Sequence, residues 1–222
     1  RQILSVLGVS TLEELIGRTE LLERRNVNLA KTKKLDLSSL LKTTTNTTDR
    51  SWLKHKNGAH TNGTILEDEL LSDPDFKQAL TMHGNVSKTI SIFNTDRSVC
   101  ARIAGEIAQL HGNKGFKGKL DLTFKGAAGQ SFGAFLLQGM NILLIGEAND
   151  YVGKGMNGGV IKIIPTIKSD NNSNQVILGN TCLYGGTGGK LFAVGRAGER
   201  FGVRNSGVEA VIEGAGDHCC EY

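Results

Sequence analysis

Aromatic residues are scarce in this sequence, at 5% of 222 residues, and there are only two prolines. A core must therefore come from aliphatic side chains, which the 39% hydrophobic content supplies. Cysteine is limited to Cys100, Cys182, Cys219 and Cys220, with no C-x-x-C pair. That spacing excludes a secreted disulfide framework and points to a reducing compartment. No apolar run reaches the roughly 18 residues of a membrane span, and no secretory signal is visible, so no membrane partner is expected. Excess charge is also confined. The net charge is +4, and the stretch 31–62 holds seven basic residues against Asp36 and Asp49. Apart from Trp52 this stretch has no interleaved aromatics for base stacking, so no nucleic-acid partner is expected.

Glycine is abundant, with 29 residues. A glycine-rich, proline-poor chain built on Ile, Val and Leu suggests many tight backbone turns. The opening "GVSTLEELIGRTELLERR" reads as a helix. Ser10 and Glu13 fit a capping box, and Leu12, Leu15, Ile16 and Leu22 form an apolar stripe. The expected organisation is a helical end over 1–25, a polar basic linker over 26–62 and a glycine-repeat domain over 63–222. "TILEDELLSDPDFKQALTMHG" reads as one or two short helices broken near Pro74, with Asp73 and Asp75 as turn and cap residues. From Val86 onward short β-type runs alternate with turn formers: "SKTISIF", "GKLDLTF", "NILLI", "GVIKIIP", "NQVIL", "KLFAV" and "VEAVI". Only "VCARIAGEIAQLHG" interrupts them with helical spacing.

The repeating unit is G-x6-G, at Gly126–Gly133, Gly139–Gly146, Gly188–Gly195 and Gly207–Gly214, with a variant from Gly158 to Pro165. Starts at 139 and 158 are 19 apart, as are those at 188 and 207; the longer gap between holds the polar insert "TIKSDNNSN". A period near 20 with one apolar run per repeat predicts an all-β fold, a right-handed single-stranded parallel β-helix with a helical and linker extension.

"GKGMNGG", Gly153–Gly159, matches the G-x-G-x-x-G of dinucleotide sites. That fingerprint needs a helix after the turn, and β-branched "VIKIIP" follows instead; Lys154 precedes Gly rather than Ser or Thr. The glycines are expected to be corner residues. "EANDY" brings two carboxylates together, but Asn149 and Asp150 fit a corner ladder better than glycosidase chemistry. The arginine cluster Arg196, Arg200 and Arg204 with Glu199 suits interdomain docking better than anion binding. Adjacent Cys219 and Cys220 in "DHCC" lack a partner pair at zinc spacing and are expected to pack away from solvent. A Cys–His nucleophile pair there would also need an orienting group. His55, His60, His83 and His111 read as isolated, each a surface or satisfied histidine.

The blocks "GAAGQSFGAF", "GEANDYVGKGMNGG", "ILGNTCLYGGTGG" and "AGERFGVRNSGVEAVIEGAGDHCCEY" resemble the C-terminal glycine-repeat domain of glutamate synthase large subunits. "IGRTELL", "LDLSSLL" and "FNTDRSVCARIAGEIA" resemble the stretch joining it to the flavin-binding domain. The resemblance covers essentially the whole chain and implies a right-handed β-helix that continues past Tyr222. It implies a parent that hydrolyses glutamine, passes ammonia to 2-oxoglutarate and reduces the product with FMN. A 3Fe-4S cluster there relays electrons from ferredoxin or a pyridine-nucleotide-oxidising subunit. None of those parts matches a segment here. The sequence therefore yields no catalytic, cofactor-binding or metal-ligating residue, and the segment alone is expected to be inactive. Its implied partners are the amidotransferase and flavin-binding domains of the same polypeptide, and its implied place the cytoplasm or plastid stroma. The alternative is a stand-alone assembly subunit resembling the C subunit of formylmethanofuran dehydrogenase.

Overall fold

The computed structural model describes residues 1–25, 27, 29–42, 63–167 and 174–222. They divide into two compact units, Arg1–Thr61 and Asn62–Tyr222. The stretch read as a linker, 26–62, and the polar insert lie largely outside the described residues.

In the first unit the helix expected from Gly8 onward does not form. Helix α1 spans Gln2–Leu7 and ends at Gly8, and 3-10 turns occupy Glu13–Leu15 and Thr19–Leu21. The cap pairing shifts by one residue: Glu14 N–H donates to Thr11 Oγ1, while Ser10 N–H donates to Glu14 Oε2. Leu12 and Leu22 stay 69% and 63% exposed. Stripe and cap alone do not hold a helix of this length without burial. A short helix α2, Ser38–Leu41, follows.

In the second unit, helices α3 (Leu66–Ser72) and α4 (Pro74–Thr81) are separated at Asp73. Asp73 Oδ1 accepts the backbone N–H groups of Asp75 and Phe76, and Pro74 opens α4. Strand β1 (Asn85–Ile92) leads through helix α5 (Ala101–His111) to β2 (Lys119–Ala128). Then come β3 (Met140–Ala148), β4 (Asn157–Ile164), β5 (Val176–Leu178), β6 (Gly188–Ala193), β7 (Arg196–Ala197) and β8 (Glu209–Val211).

All pairings are parallel, and the main path is β1-β2-β3-β4-β6-β8, with β5 beside β3 and β7 beside β5. Leu122, Ile142, Ile161, Leu191 and Ala210 stand in one register row, at steps of 20, 19, 30 and 19 residues. The sequence period is thus realised as strand pairing. A second row, Phe124, Leu144, Ile163 and Ala193, lies beside it. Both rows are buried from β2 to β6, and Phe124 meets Phe132 edge-on at 5.3 Å. Helix α5 adds Ile103, Ala104 and Ile107 to the same core.

The all-β right-handed single-stranded β-helix expected from the repeat is not found. The strands make one open, eight-stranded parallel sheet with helices, an α/β arrangement. A sequence period fixes which strands align, but not what the rest of each period becomes. Between β1 and β2 the apolar spacing of Ile103, Ala104 and Ile107 yields a helix. Between later strands the chain forms five-residue turns. Their first, third and fifth residues have positive φ: Ser131, Gly133 and Phe135; Tyr151, Gly153 and Gly155; Thr181, Leu183 and Gly185; Arg200, Gly202 and Arg204. Their backbones are tied in ladders, as where Ser131 N–H donates to Asp150 O and Gly153 N–H to Phe132 O.

Candidate functional site

The glycines of "GKGMNGG" lie on such a turn and at the start of β4, and no helix follows them. A Cβ on Gly159 would sit 2.5 Å from Met140 O, and one on Gly158 2.5 Å from the Gln138 nitrogen. These glycines permit close backbone approach, and the strand-turn-helix context of a pyrophosphate cradle is absent.

The asparagine-rich corner is a ladder, as its composition suggested. Asn149 Nδ2 donates to Asn94 Oδ1 at 3.2 Å, Asn180 N–H to Asp150 Oδ1 at 2.7 Å, and Glu199 N–H to Asn180 Oδ1 at 2.8 Å. The Asp150 carboxylate is thus engaged by backbone at this corner. The arginines of "RAGERFGVR" do not converge on one point. Arg196 donates to Ala215 O at 3.2 Å, and Arg204 lies 5.9 Å from the Tyr222 ring centre.

Cys219 and Cys220 are exposed rather than shielded, with Sγ atoms 3.5 Å apart. His218 and Cys220 have positive φ as in the earlier turns, and Cys220 N–H donates to Phe201 O at 2.7 Å. His218 Nδ1 pairs with Glu221 Oε1 at 2.6 Å, and that carboxylate raises the imidazole's pKa. His55 and His60 lie outside the described residues. His83 and His111 are not isolated: their rings stack at 4.0 Å beside Phe116. His83 Nδ1 accepts Lys117 N–H at 3.1 Å, and His111 Nε2 meets Leu80 O at 2.7 Å. Burial, then the neighbouring charge of His111 and Lys117, lowers the His83 pKa. Both are satisfied structural histidines.

The residues present do not fit the implied cofactors. An iron–sulfur cluster needs three converging thiolates. Cys100 and Cys182 are buried in the core, where burial pushes the Cys182 thiol up to about 12, and the other two are adjacent at the surface. Among the described residues no three His, Cys, Asp or Glu side chains gather around a common point. The N-terminus of α5, the longest helix, would suit a flavin phosphate, but Glu67 occupies it. Glu67 Oε1 accepts the N–H groups of Arg102 and Ile103 at 3.1 and 3.3 Å. This carboxyl is 4% exposed, and burial raises its pKa against those hydrogen bonds. Sequence reading missed this cap because Glu67 sits 35 residues from Arg102.

The outward face of the sheet carries an open groove of about 370 Å³ across β2, β3 and β4. Lys119, Asp121, Thr123, Asn141, Leu143 and Lys162 contribute to its lining. Lys119 Nζ pairs with Asp121 Oδ2 at 2.7 Å, and Asn141 Nδ2 donates to Asp121 Oδ1 at 3.1 Å. The Lys119 ammonium, then the Asn141 amide, hold the Asp121 carboxyl below its ordinary pKa. No sequence motif marks this face, because its residues alternate with core residues on three separate strands.

Residues 67–222 match the family model described as the GXGXG motif. The chain is 54% identical over 224 residues to ferredoxin-dependent glutamate synthase 2 of Synechocystis sp., with all of the chain covered. It is 53% identical over 223 residues to the chloroplastic ferredoxin-dependent glutamate synthase of Spinacia oleracea, again in full. It is 48% identical over 224 residues, also in full, to the ferredoxin-dependent glutamate synthase of Cyanidium caldarium. The chain spans 14% of the length of each of these relatives.

Proposed function

The chain belongs to the GXGXG-motif family, and from that premise we propose that it is a non-catalytic structural segment of a ferredoxin-dependent glutamate synthase. The parent reaction converts glutamine, 2-oxoglutarate and reductant to two glutamates. The segment's part in it is to hold the amidotransferase and flavin-binding domains of the same polypeptide in fixed relation, so that ammonia passes between them without escaping. FMN and the 3Fe-4S cluster reside in other domains, which also meet ferredoxin. The parent works in the plastid stroma or the cytoplasm.

The observation that carries this reading is the match, over the full length of the chain, to relatives named for that activity. The scaffolding role draws on the fold. Core rows run in register across the strands and backbone ladders tie the turns, which makes a stiff body. Its polar clusters are spent on corners and caps.

An immunoblot of source extract with an antibody to this segment tests the assignment. A band several times larger than 23.8 kDa is expected. A band near 23.8 kDa refutes it. Calorimetry with FMN on the 222-residue chain tests the non-catalytic role, and tight flavin binding refutes that part.

A further inference from the structure

The two faces of the sheet differ in how they are used. One is filled by the core. The other displays two rows from the same strands: Asp121, Asn141, Val160, Lys190 and Glu209, and beside it Thr123, Leu143, Lys162, Phe192 and Val211. Side chains alternate in a strand, so these rows point away from the core. The second row brings Leu143, Phe192 and Val211 to the surface beside Thr123 and Lys162, with Phe192 and Val211 40% and 61% exposed. Val160 and the groove of about 370 Å³ adjoin them.

Charge on this face is unbalanced. Of its carboxylates, Asp121 pairs with Lys119 at 2.7 Å and Glu209 with Lys190 at 2.9 Å, and Glu147 of β3 shares the face. Lys125 and Lys162 are exposed on the same face, and among the described residues neither forms an ion pair. The face is thus apolar in its middle with two exposed ammonium groups outside these ion pairs, a pattern that fits an acidic partner carrying apolar side chains.

We propose that the outward face of β2, β3, β4 and β6 docks an acidic, apolar-flanked segment of the same polypeptide lying outside these 222 residues. This rests on the synthase reading above, in which the chain is 14% of the polypeptide and the remainder must pack against it. Carboxylates of that segment pair with Lys125 and Lys162. Its apolar side chains cover Leu143, Val160 and Phe192.

The test is zero-length carbodiimide cross-linking of the intact native polypeptide, prepared as a mixture of ¹⁴N- and ¹⁵N-labelled protein, with peptide mass spectrometry. The expected result is an amide bond from Lys162 or Lys125 to an Asp or Glu outside the segment, in peptides of one isotope. Acetylation of these two lysines in the native protein is expected to run at least about tenfold slower than at Lys77, on the exposed side of α4. Mixed-isotope links would assign the face to a second copy and overturn the proposal. Links ending within residues 1–222, or acetylation as fast as at Lys77 with no link, would also overturn it. Lys162→Glu is expected to abolish its link and speed acetylation of Lys125, whereas Gln78→Glu on the exposed side of α4 leaves both unchanged. A polypeptide no longer than this segment refutes the synthase reading itself. A long one without protection at Lys125 and Lys162 refutes only the docking face.

Discussion

Gly146 closes the second G-x6-G repeat, and replacing it with alanine tests whether the repeat is a packing requirement. Gly146 pairs in register with Gly126, which pairs with Ile92. Its φ is 152°, a conformation that L side chains rarely adopt. A Cβ there would lie 1.7 Å from Gly126 O, roughly 1.3 Å inside the closest approach real Cβ atoms make. Gly126 has no room to retreat, since its own Cβ position is 2.1 Å from Ile92 O. Strands β2 and β3 must therefore part, breaking ladder bonds at a cost of about 1–3 kcal/mol for each group left unmet. The backbone strain adds roughly 1–2 kcal/mol. Gly146→Ala is thus expected to lose about 4 kcal/mol or more, among the largest single-substitution effects. Gly105→Ala is the control. Gly105 lies on the exposed side of α5 with nothing within 4 Å of its Cβ position, so alanine there is expected to gain about 0.5–1 kcal/mol. Denaturant unfolding of both variants beside the parent gives the comparison. A Gly146→Ala midpoint indistinguishable from the parent's would refute the close strand approach on which the fold account rests.

Three further outcomes follow from local geometry. Glu67→Ala leaves two N–H groups of α5 without an acceptor and is expected to cost about 1–3 kcal/mol in urea unfolding; a loss too small to measure would show that the cap contributes nothing. The Glu67 pKa is raised on folding, so its contribution is fullest below its unfolded value and falls as pH rises through the folded value. Glu67→Gln should remove that decline, and an unchanged pH–stability profile contradicts it. Asp73 has the opposite sign: the Lys88 ammonium, then the α4 backbone, lower its pKa, so its contribution is present above the unfolded value and fades as pH falls through the folded one. Asp73→Ala should lower the melting temperature at neutral pH and converge on the parent in acid; a gap that persists in acid rejects the assignment. Thr181 is β-branched at φ 56°, so Thr181→Asn, better tolerated there, is expected to raise the melting temperature by about 2–4 °C. A lowered melting temperature would mean that its hydroxyl or methyl group matters more than the backbone strain.

The sequence by itself determined where seven of the eight strands lie, all but the two-residue β7. Each run it offered, from "SKTISIF" to "VEAVI", overlaps a strand, because period-2 alternation and flanking turn formers are local signals. It also placed α3, α4 and the break at Pro74, where Asp73 and Pro74 carry the cap chemistry in adjacent residues. The spacing of repeats set the steps between paired strands, since equal periods bring equivalent residues into register. Only the tertiary structure decided the rest. Nothing local distinguishes a repeat that closes into a coil from one that leaves an open sheet with helices, because that depends on what packs where. The alternating left-handed turns were hidden since Ser131, Thr181, Leu183 and Arg200 occupy conformations usually marked by glycine, and neighbouring ladders hold them there. The cap from Glu67 to α5 and the outward groove join residues distant in sequence, and long-range contacts of this kind exist only once the chain has folded. The helix expected near the N-terminus failed for the converse reason: its local signals were present, but its leucines stayed exposed.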